Sequence, residues 1–562
     1  MSDATNTIGL TPNLIQAGID IDPVLLAEGL ETIRQEKNET LGETFRLHWR
    51  AILWSMTLSL ALVMDGYDGS ITTAYYGLPA FLERFGVKNS KGKLVIDANY
   101  QTAIANILIP GNFLAFWVVG AATKRWGMRP VYAGGMALIT LIIFLFVFLQ
   151  SIQMLLVAQL LVGFCWGLFH TLTAAYAAEI CPIRLRGIAV SFISFCWGTG
   201  GFIAAGLNRA ALNIQGDWSW RLPYCLQWIW PVPLFFAAIY APESPYWLVR
   251  VGKIQQAKKC LTRIRSPGYW DSHSLDGYIE FIRHTDHLES AESSKGSFME
   301  MFKGTNLRRT EIMLGVWTIQ QWSGLSLTGY AIVFLKSVGW STTAAFNLNM
   351  VITAMNLVGC AMELFVINRF GRRPLIIWGM AILMTLLLLI GILCSVPSNH
   401  HVIQAIASFL ILLNLIFHAT IGPVTYTVAA EIPSSRLRQR TVAFGRGWYV
   451  ANGVATGQLT PRMVNPKTTP GAWGWGAKAG YFYFGVAVVV TTWAYFRMPE
   501  TGGFSFAELE ILFANKVNAR KFTKQHIHDE MAAGDSAFDT KPGEKDDDLK
   551  AIPQLEHNEY AK

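Results

Sequence analysis

Two aspartates, Asp65 and Asp68, stand inside an otherwise apolar run that begins at Ala51. A carboxylate in a long apolar helix is expensive to bury, so it faces a cavity or a partner and often marks a path for ions or protons. Desolvation disfavours its charged form, which suits a group that takes up and releases a proton. Arg446 is a third charge inside an apolar run. Amides in such runs (Gln320, Gln321, Asn356, Asn452) each offer two donors and an acceptor, the kit for a polyhydroxylated ligand. Tyr330, Tyr426 and Tyr449 add flat apolar faces with a hydroxyl tip. His170 and His418 lie in apolar runs as well; a lone histidine there reads as a packing residue before it reads as a proton carrier.

Other chemistries find little support. Seven cysteines (Cys165, Cys181, Cys196, Cys225, Cys260, Cys360 and Cys394) show no metal-ligand spacing and no disulfide framework. Gly198-Thr199-Gly200-Gly201 has no preceding strand and no Gly-Lys-Ser/Thr, so it reads as close helix packing, not as a phosphate cradle. No nucleophile–base constellation stands out. The expectation is a protein that is not an enzyme and that needs no cofactor and no metal.

The elements that position these residues follow from composition. Of 562 residues, 52% are hydrophobic and 15% charged, and mean hydropathy is +0.32; soluble proteins carry about 25% charged residues. The surrounding solvent is therefore a lipid bilayer. The net charge of +8 sits in short clusters between apolar runs, which argues against a nucleic-acid partner. Apolar stretches long enough to cross a hydrocarbon core of ~30 Å as helices recur near 51–76, 101–122, 130–149, 152–178, 187–208 and 221–241, and again near 310–335, 344–367, 375–396, 402–430, 441–463 and 479–496. These are spans 1 to 12.

The expected fold class is an all-α membrane protein of twelve transmembrane helices in two six-helix repeats. Its parts are an N-terminal tail (1–49), a first bundle (50–242), a central segment with short helices (243–309), a second bundle (310–498) and a C-terminal tail (499–562). Lys and Arg concentrate in the connectors after spans 2, 4, 8 and 10 and in the central segment. The positive-inside rule then places that face, with both termini, in the cytoplasm.

The halves echo each other. Arg125-Trp126-Gly127-Met128-Arg129-Pro130 returns as Arg369-Phe370-Gly371-Arg372-Arg373-Pro374. Ala177-Ala178-Glu179-Ile180 with Arg184-Leu185-Arg186 returns as Ala429-Ala430-Glu431-Ile432 with Arg436-Leu437-Arg438, and Pro242-Glu243 as Pro499-Glu500. Parallel repeats of this kind are a transporter architecture, with the site near mid-membrane between the halves.

These residues resemble the sugar porters of the major facilitator superfamily, over about residues 45–515. The pattern G-x-x-x-D-R-x-G-R-R corresponds to Gly120 through Arg129 and less fully to Leu364 through Arg373. P-E-S-P-R corresponds to Pro242 through Tyr246, and Q-Q-x-S-G-x-N to Gln320 through Ser326. Within the family, Asp65-Gly66-Tyr67-Asp68, Leu226-Gln227-Trp228-Ile229-Trp230-Pro231, Trp247-Leu248-Val249-Arg250 and Ala519-Arg520-Lys521-Phe522 look most like fungal maltose and α-glucoside permeases.

The resemblance implies proton-driven uptake of α-linked glucosides across a plasma membrane by alternating access. It assigns sugar contact to Gln320, Gln321, Asn356 and Asn452, puts Ser326 where the family has Asn, and makes Asp68 and Arg446 a proton relay beside Asp65. It assigns an inner gate to Arg125, Glu179, Arg186, Arg369, Glu431 and Arg438. Gln159 stands where many relatives have Arg, and Asn112 where maltose permeases have Glu. Two alternatives therefore stay open: a facilitator or symporter for a hexose or β-linked disaccharide, and a sugar sensor that does not transport. Lys541 and Lys545, beside the acidic run Asp546-Asp547-Asp548, could serve as ubiquitin sites on the cytoplasmic tail.

Overall fold

A computed structural model describes residues 22–522, apart from 183–184, 272, 296–297, 338, 398, 435–436, 503 and 505. Each of the twelve expected spans is helical or broken-helical. Spans 2, 3 and 4 are Ala98–Trp126, Met128–Val147 and Ile152–Ile180; spans 8 and 9 are Thr342–Phe370 and Arg372–Ser395. Side-chain acceptors begin several of them: Asp97 accepts from Asn99 N–H, Ser151 from Met154 N–H and Ser341 from Ala344 N–H. Each satisfies a donor that the helix cannot.

Among the described residues nine helices are long and apolar enough to cross a membrane by composition. The exceptions are span 5 (Arg186–Ala211), span 7 and span 11 (Arg438–Val464). Span 11 carries Arg438, Arg440, Arg446 and Arg462, a composition fitted to the bundle interior, not to lipid. Span 7 is divided into Gly304–Trp322, Ser326–Gly329 and Ala331–Ser337. Its break at Ser323-Gly324 needs glycine: Gly324 has φ 85°, and a Cβ there would lie 2.6 Å from Leu387 Cδ2. Span 10 breaks between His400–Ala419 and Ile421–Glu431, where Thr420 leaves helical geometry just before Gly422-Pro423. A proline cannot accept a helix above it without clashing with the carbonyl four residues back.

Glycines let the spans of the first bundle touch backbone to backbone. A Cβ on Gly66 would lie 1.9 Å from Trp197 O, and one on Gly200 would lie 1.8 Å from Val63 O, so spans 1 and 5 approach reciprocally. Gly111 and Gly163 do the same for spans 2 and 4. Small residues at such crossings are the usual means of helix association in lipid. Large apolar side chains instead point outward: Trp117, Phe365, Trp378 and Val489 are exposed on the flanks of the bundle.

Residues 22–49, read from sequence as tail, contain ordered structure. Asp22 caps the helix Pro23–Asn38, and Thr40 and Glu43 form a capping box that starts Leu41–Ser59, the lead into span 1. The first helix packs on Leu275–Lys295 of the central segment so closely that a Cβ on Gly29 would sit 2.1 Å from Gly277 O. Between them Arg265, 1% exposed, donates to His48 Nδ1, lies 3.5 Å from Glu36 and donates to Tyr278 OH at 3.4 Å. His48 in turn meets Glu39 at 3.2 Å and sits at a kink in its helix. A buried guanidinium needs this many partners. The result is a collar tying the N-terminal helix, the root of span 1 and the central segment together.

Candidate functional site

Among the described residues, the hydrogen bonds joining the two bundles all lie on the face opposite the central segment. Gln101 and Asn465 exchange bonds of 3.3 and 2.9 Å; Lys336 Nζ donates to Gly77 O at 2.6 Å, Arg209 to Asn347 at 2.6 Å and Ala98 N–H to Pro470 O at 3.1 Å. Asn89 and Thr468, and Arg462 and Asn99, add 3.3 and 3.5 Å contacts. Just beneath, Tyr76 of the first bundle stacks on Tyr330 of the second, ring centres 6.3 Å apart, and both are buried. Trp197, Tyr426 and Trp448, deeper between the bundles, are about two-fifths exposed (43%, 39% and 42%). The space between the halves is therefore shut on one face and open toward the central segment.

The first bundle holds two carboxylates and a histidine beside this space. Asp68 is 2% exposed and accepts from Gln227 Nε2 at 3.1 Å. Asp65 Oδ2 accepts from Trp197 Nε1 at 3.0 Å and meets His170 Nε2 at 2.7 Å. Gln159 is turned away from both, donating to Thr72 Oγ1 at 3.0 Å.

The second bundle supplies amides and rings. Gln320 donates to Gly422 O at 3.1 Å, a carbonyl beside the break in span 10, while its buried Oε1 makes no hydrogen bond. Gln321 lies beside span 11, its Nε2 3.4 Å from where a Cβ on Gly453 would be. Asn356 is 8% exposed and reaches across to span 5, where a Cβ on Gly198 would be 3.0 Å from its Oδ1. Arg446 lies in an aromatic box, its guanidinium carbon 5.1, 5.4 and 5.2 Å from the rings of Trp317, Tyr426 and Tyr449. It donates to Tyr426 OH at 3.4 Å.

Not every expected residue joins the group. Asn452 is used internally, donating to Trp448 O and accepting from Trp322 Nε1. Ser326 opens the short helix Ser326–Gly329 past the break in span 7, and Tyr330 belongs to the closed end. No hydrogen bond or ion pair links Asp68 to Arg446 among the described residues: one points at span 6, the other is held by the rings of spans 7, 10 and 11.

At the face of the central segment the residues expected to form a gate divide too. Glu431 pairs with Arg372 at 2.9 Å and accepts from Thr501 at 2.6 Å. Glu179 accepts from Ser244 Oγ, and Arg438 donates to Ala430 O at 3.2 Å. Arg125 and Arg369 are exposed and make no ion pair among the described residues; Arg125 lies over its neighbour Trp126. The reason is geometric. Gly371 (φ 79°) ends span 8, so Arg369 stays on its outer last turn while Arg372 opens span 9 toward Glu431. Arg184, Arg436, the Arg186 side chain and the tail lysines lie outside the described residues.

Sequence reasoning did not foresee several participants. Glu243 accepts the backbone N–H of Met128 (2.9 Å) and Arg129 (3.3 Å), and Glu500 those of Arg372 (2.9 Å) and Arg373 (3.0 Å). Both clamp the start of the third span of their bundle, beside Gly127 (φ 93°) and Gly371. The paired Pro-Glu echo was the available signal. Burial holds the Glu243 carboxyl above its ordinary value of 4.5, against the pull of those amides. Trp197 gave no signal, and His170, read from sequence as a packing residue, gave none of its partner, because a side chain's partner across the bundle depends on how the helices are rotated. Glu363, 3% exposed in span 8, is a further unforeseen carboxylate and makes no hydrogen bond among the described residues.

Comparison with known proteins adds the following. The family profile described as "Sugar (and other) transporter" matches residues 54–513. The general alpha-glucoside permease of Saccharomyces cerevisiae is 33% identical over 532 residues, covering 94% of this chain and 85% of the permease. The maltose permease MAL31 of the same yeast is 31% identical over 538 residues, covering 94% and 87%. The inward-open structure of the xylose transporter XylE from E. coli superposes with a TM-score of 0.64 at 19% identity, covering 82% of this chain and 98% of that one. The fold is thus the major facilitator fold that the family resemblance implied.

Proposed function

The chain belongs to the family of sugar (and other) transporters, and from that premise we propose that it imports α-glucosides of the maltose kind together with protons across the plasma membrane. The observation that carries this reading is the cavity's division of chemistry. An amide wall on the second bundle (Gln320, Gln321 and Asn356) stands opposite a first bundle that carries Asp65, paired with the partly exposed His170, and the buried Asp68. The permeases named above are its relatives over nearly the whole chain.

In this reading Gln320, Gln321 and Asn356 take the sugar hydroxyls, Tyr426 and Tyr449 offer ring faces, and Asn452, Ser326 and Tyr330 stand at the margin. Asp65 and Asp68 supply the acidic groups of the proton path, and Arg446 keeps a fixed positive charge near the sugar. The face of the central segment and both termini are cytoplasmic, so the state described is open inward. Import requires the halves to rock: the outer contacts part, while Glu179, Glu431, Arg372 and Arg438, with Arg125, Arg186 and Arg369 nearby, draw the inner face shut. Lys541 and Lys545 are offered as ubiquitin acceptors.

Uptake of labelled maltose into proteoliposomes or cells, with and without an inward pH gradient, tests the proposal. Accumulation that follows the gradient supports it. Uptake indifferent to the gradient supports the facilitator, a reading that the engagement of Gln159 with Thr72 favours. Binding without uptake supports the sensor.

A further inference from the structure

The pair between His170 and Asp65 is not accounted for by a relay of aspartates and Arg446. The two side chains meet at 2.7 Å between spans 1 and 4, and the imidazole side chain is 33% exposed. His170 Nε2 faces Asp65 Oδ2, and Nδ1 makes no hydrogen bond to a described residue. The same Oδ2 accepts from Trp197 Nε1. The next residue, Gly198, abuts the Oδ1 of Asn356. Three consecutive contacts thus run from a titratable ring on span 4, through span 1, to the amide that the proposed function assigns to sugar.

We propose that His170 carries the coupling proton of this transporter, with Asp65 as its counter-charge and Trp197–Gly198 as the link to the sugar-contacting Asn356. The inference rests on the import reading. In the unloaded state neutral His170 donates Nε2–H to the Asp65 carboxylate. A proton arriving from the outer side adds to Nδ1 and gives an imidazolium balanced by that carboxylate, so the loaded pair crosses the membrane without net charge of its own. In the inward-open state Nδ1 faces the cavity and returns the proton to water. Imidazole is the side chain that ordinarily changes charge between about pH 5 and 8, and a charge whose counter-ion is in contact is tolerated within a membrane protein.

The other groups around the ring leave this role to it. Asp68, one turn along span 1, is committed to Gln227. Span 2 presents the neutral Asn112, packed against Gly167. Span 3 presents Tyr132, turned to Phe169, and span 5 presents Cys196 beside Trp197. Across the cavity, span 11 presents Tyr449 and Arg446, the latter held in its aromatic box.

The test is His170→Gln and His170→Asn in the full chain, reconstituted in liposomes. Two readouts are compared: exchange of labelled for unlabelled maltose at equal pH, and accumulation driven by a pH gradient. The expected result is exchange within about twofold of wild type, gradient-driven accumulation down about tenfold, and an uptake profile flattened between about pH 5 and 8. Trp197→Phe should preserve the pH profile and weaken the link, lowering the sugar accumulated per proton. A variant that accumulates like wild type with an unchanged pH profile overturns the proposal. So does loss of exchange and accumulation together in both histidine variants, which marks a structural role. A wild type that takes up no maltose under any gradient overturns the import reading itself, and is told apart because the failure is then not confined to the variants.

Discussion

The two bundles are built on one plan and furnished differently. Each begins its third span at a left-handed glycine, Gly127 or Gly371, and clamps it with the glutamate of a Pro-Glu pair, Glu243 or Glu500. Toward the cavity the likeness ends. The first bundle offers carboxylates and an imidazole, Asp65, Asp68 and His170. The second offers amides, aromatic rings and a guanidinium, which keeps its proton at any working pH. A repeat preserves the scaffold that must rock as a unit, while the cavity-facing positions are free to specialise. Glu363 is the exception: a buried carboxylate on the amide side.

The sharpest way to break this division is Asp68→Asn. If the first bundle owns the proton, accumulation against a gradient falls about 100-fold while maltose exchange survives, because one intramembrane charge is worth several kcal/mol; exchange and gradient-driven uptake measured side by side decide. Gln320→Ala should do the reverse, raising the apparent transport constant about tenfold for the loss of one buried hydrogen-bonding group without altering protons moved per sugar. Its surface expression, checked by labelling, should stay intact. Glu363→Gln should leave coupling unchanged, and a loss of coupling there would place proton chemistry on both sides.

The shared scaffold gives smaller effects. Gly127→Ala and Gly371→Ala each force an alanine into a glycine-only backbone and against a carboxylate oxygen, 2.6 and 2.8 Å from the new Cβ. Each should cost about 1–3 kcal/mol, read as a similar drop in melting temperature in detergent. The smallest effect concerns pH. Since burial raises the Glu243 carboxyl, its stabilising contribution is complete below about 4.5 and fades as pH rises through its folded value. Mild acid should thus not loosen this clamp, and thermal melts of Glu243→Gln and wild type should converge as pH falls.

Spans such as Met128–Val147 and Arg372–Ser395 were legible because lipid demands an unbroken apolar run. The chemistry of the cavity was legible in kind for the same reason: Asp65, Asp68 and Arg446 stand out against that background. Partnership was not. Whether Asp68 meets Arg446 or Gln227, and whether Glu431 meets Arg369 or Arg372, turns on helix rotation and on where a glycine ends a helix. One residue of shift moves a side chain by about 100° around the axis. The ordered helix Pro23–Asn38 was missed because its polar composition hides a face that only the central segment buries.

The contacts that shut one face also bear on turnover. They are separate polar bonds and one ring stack, spread over several connectors, and a typical hydrogen bond contributes about 1 kcal/mol net. A sugar bound at millimolar affinity releases about 4 kcal/mol, the same order as a few such bonds. A closure held by a dry hydrophobic interface would need far more work to part. Built as it is, this one can be undone by an ordinary binding event and remade by thermal motion, so the binding of a ligand is energy enough to part that face.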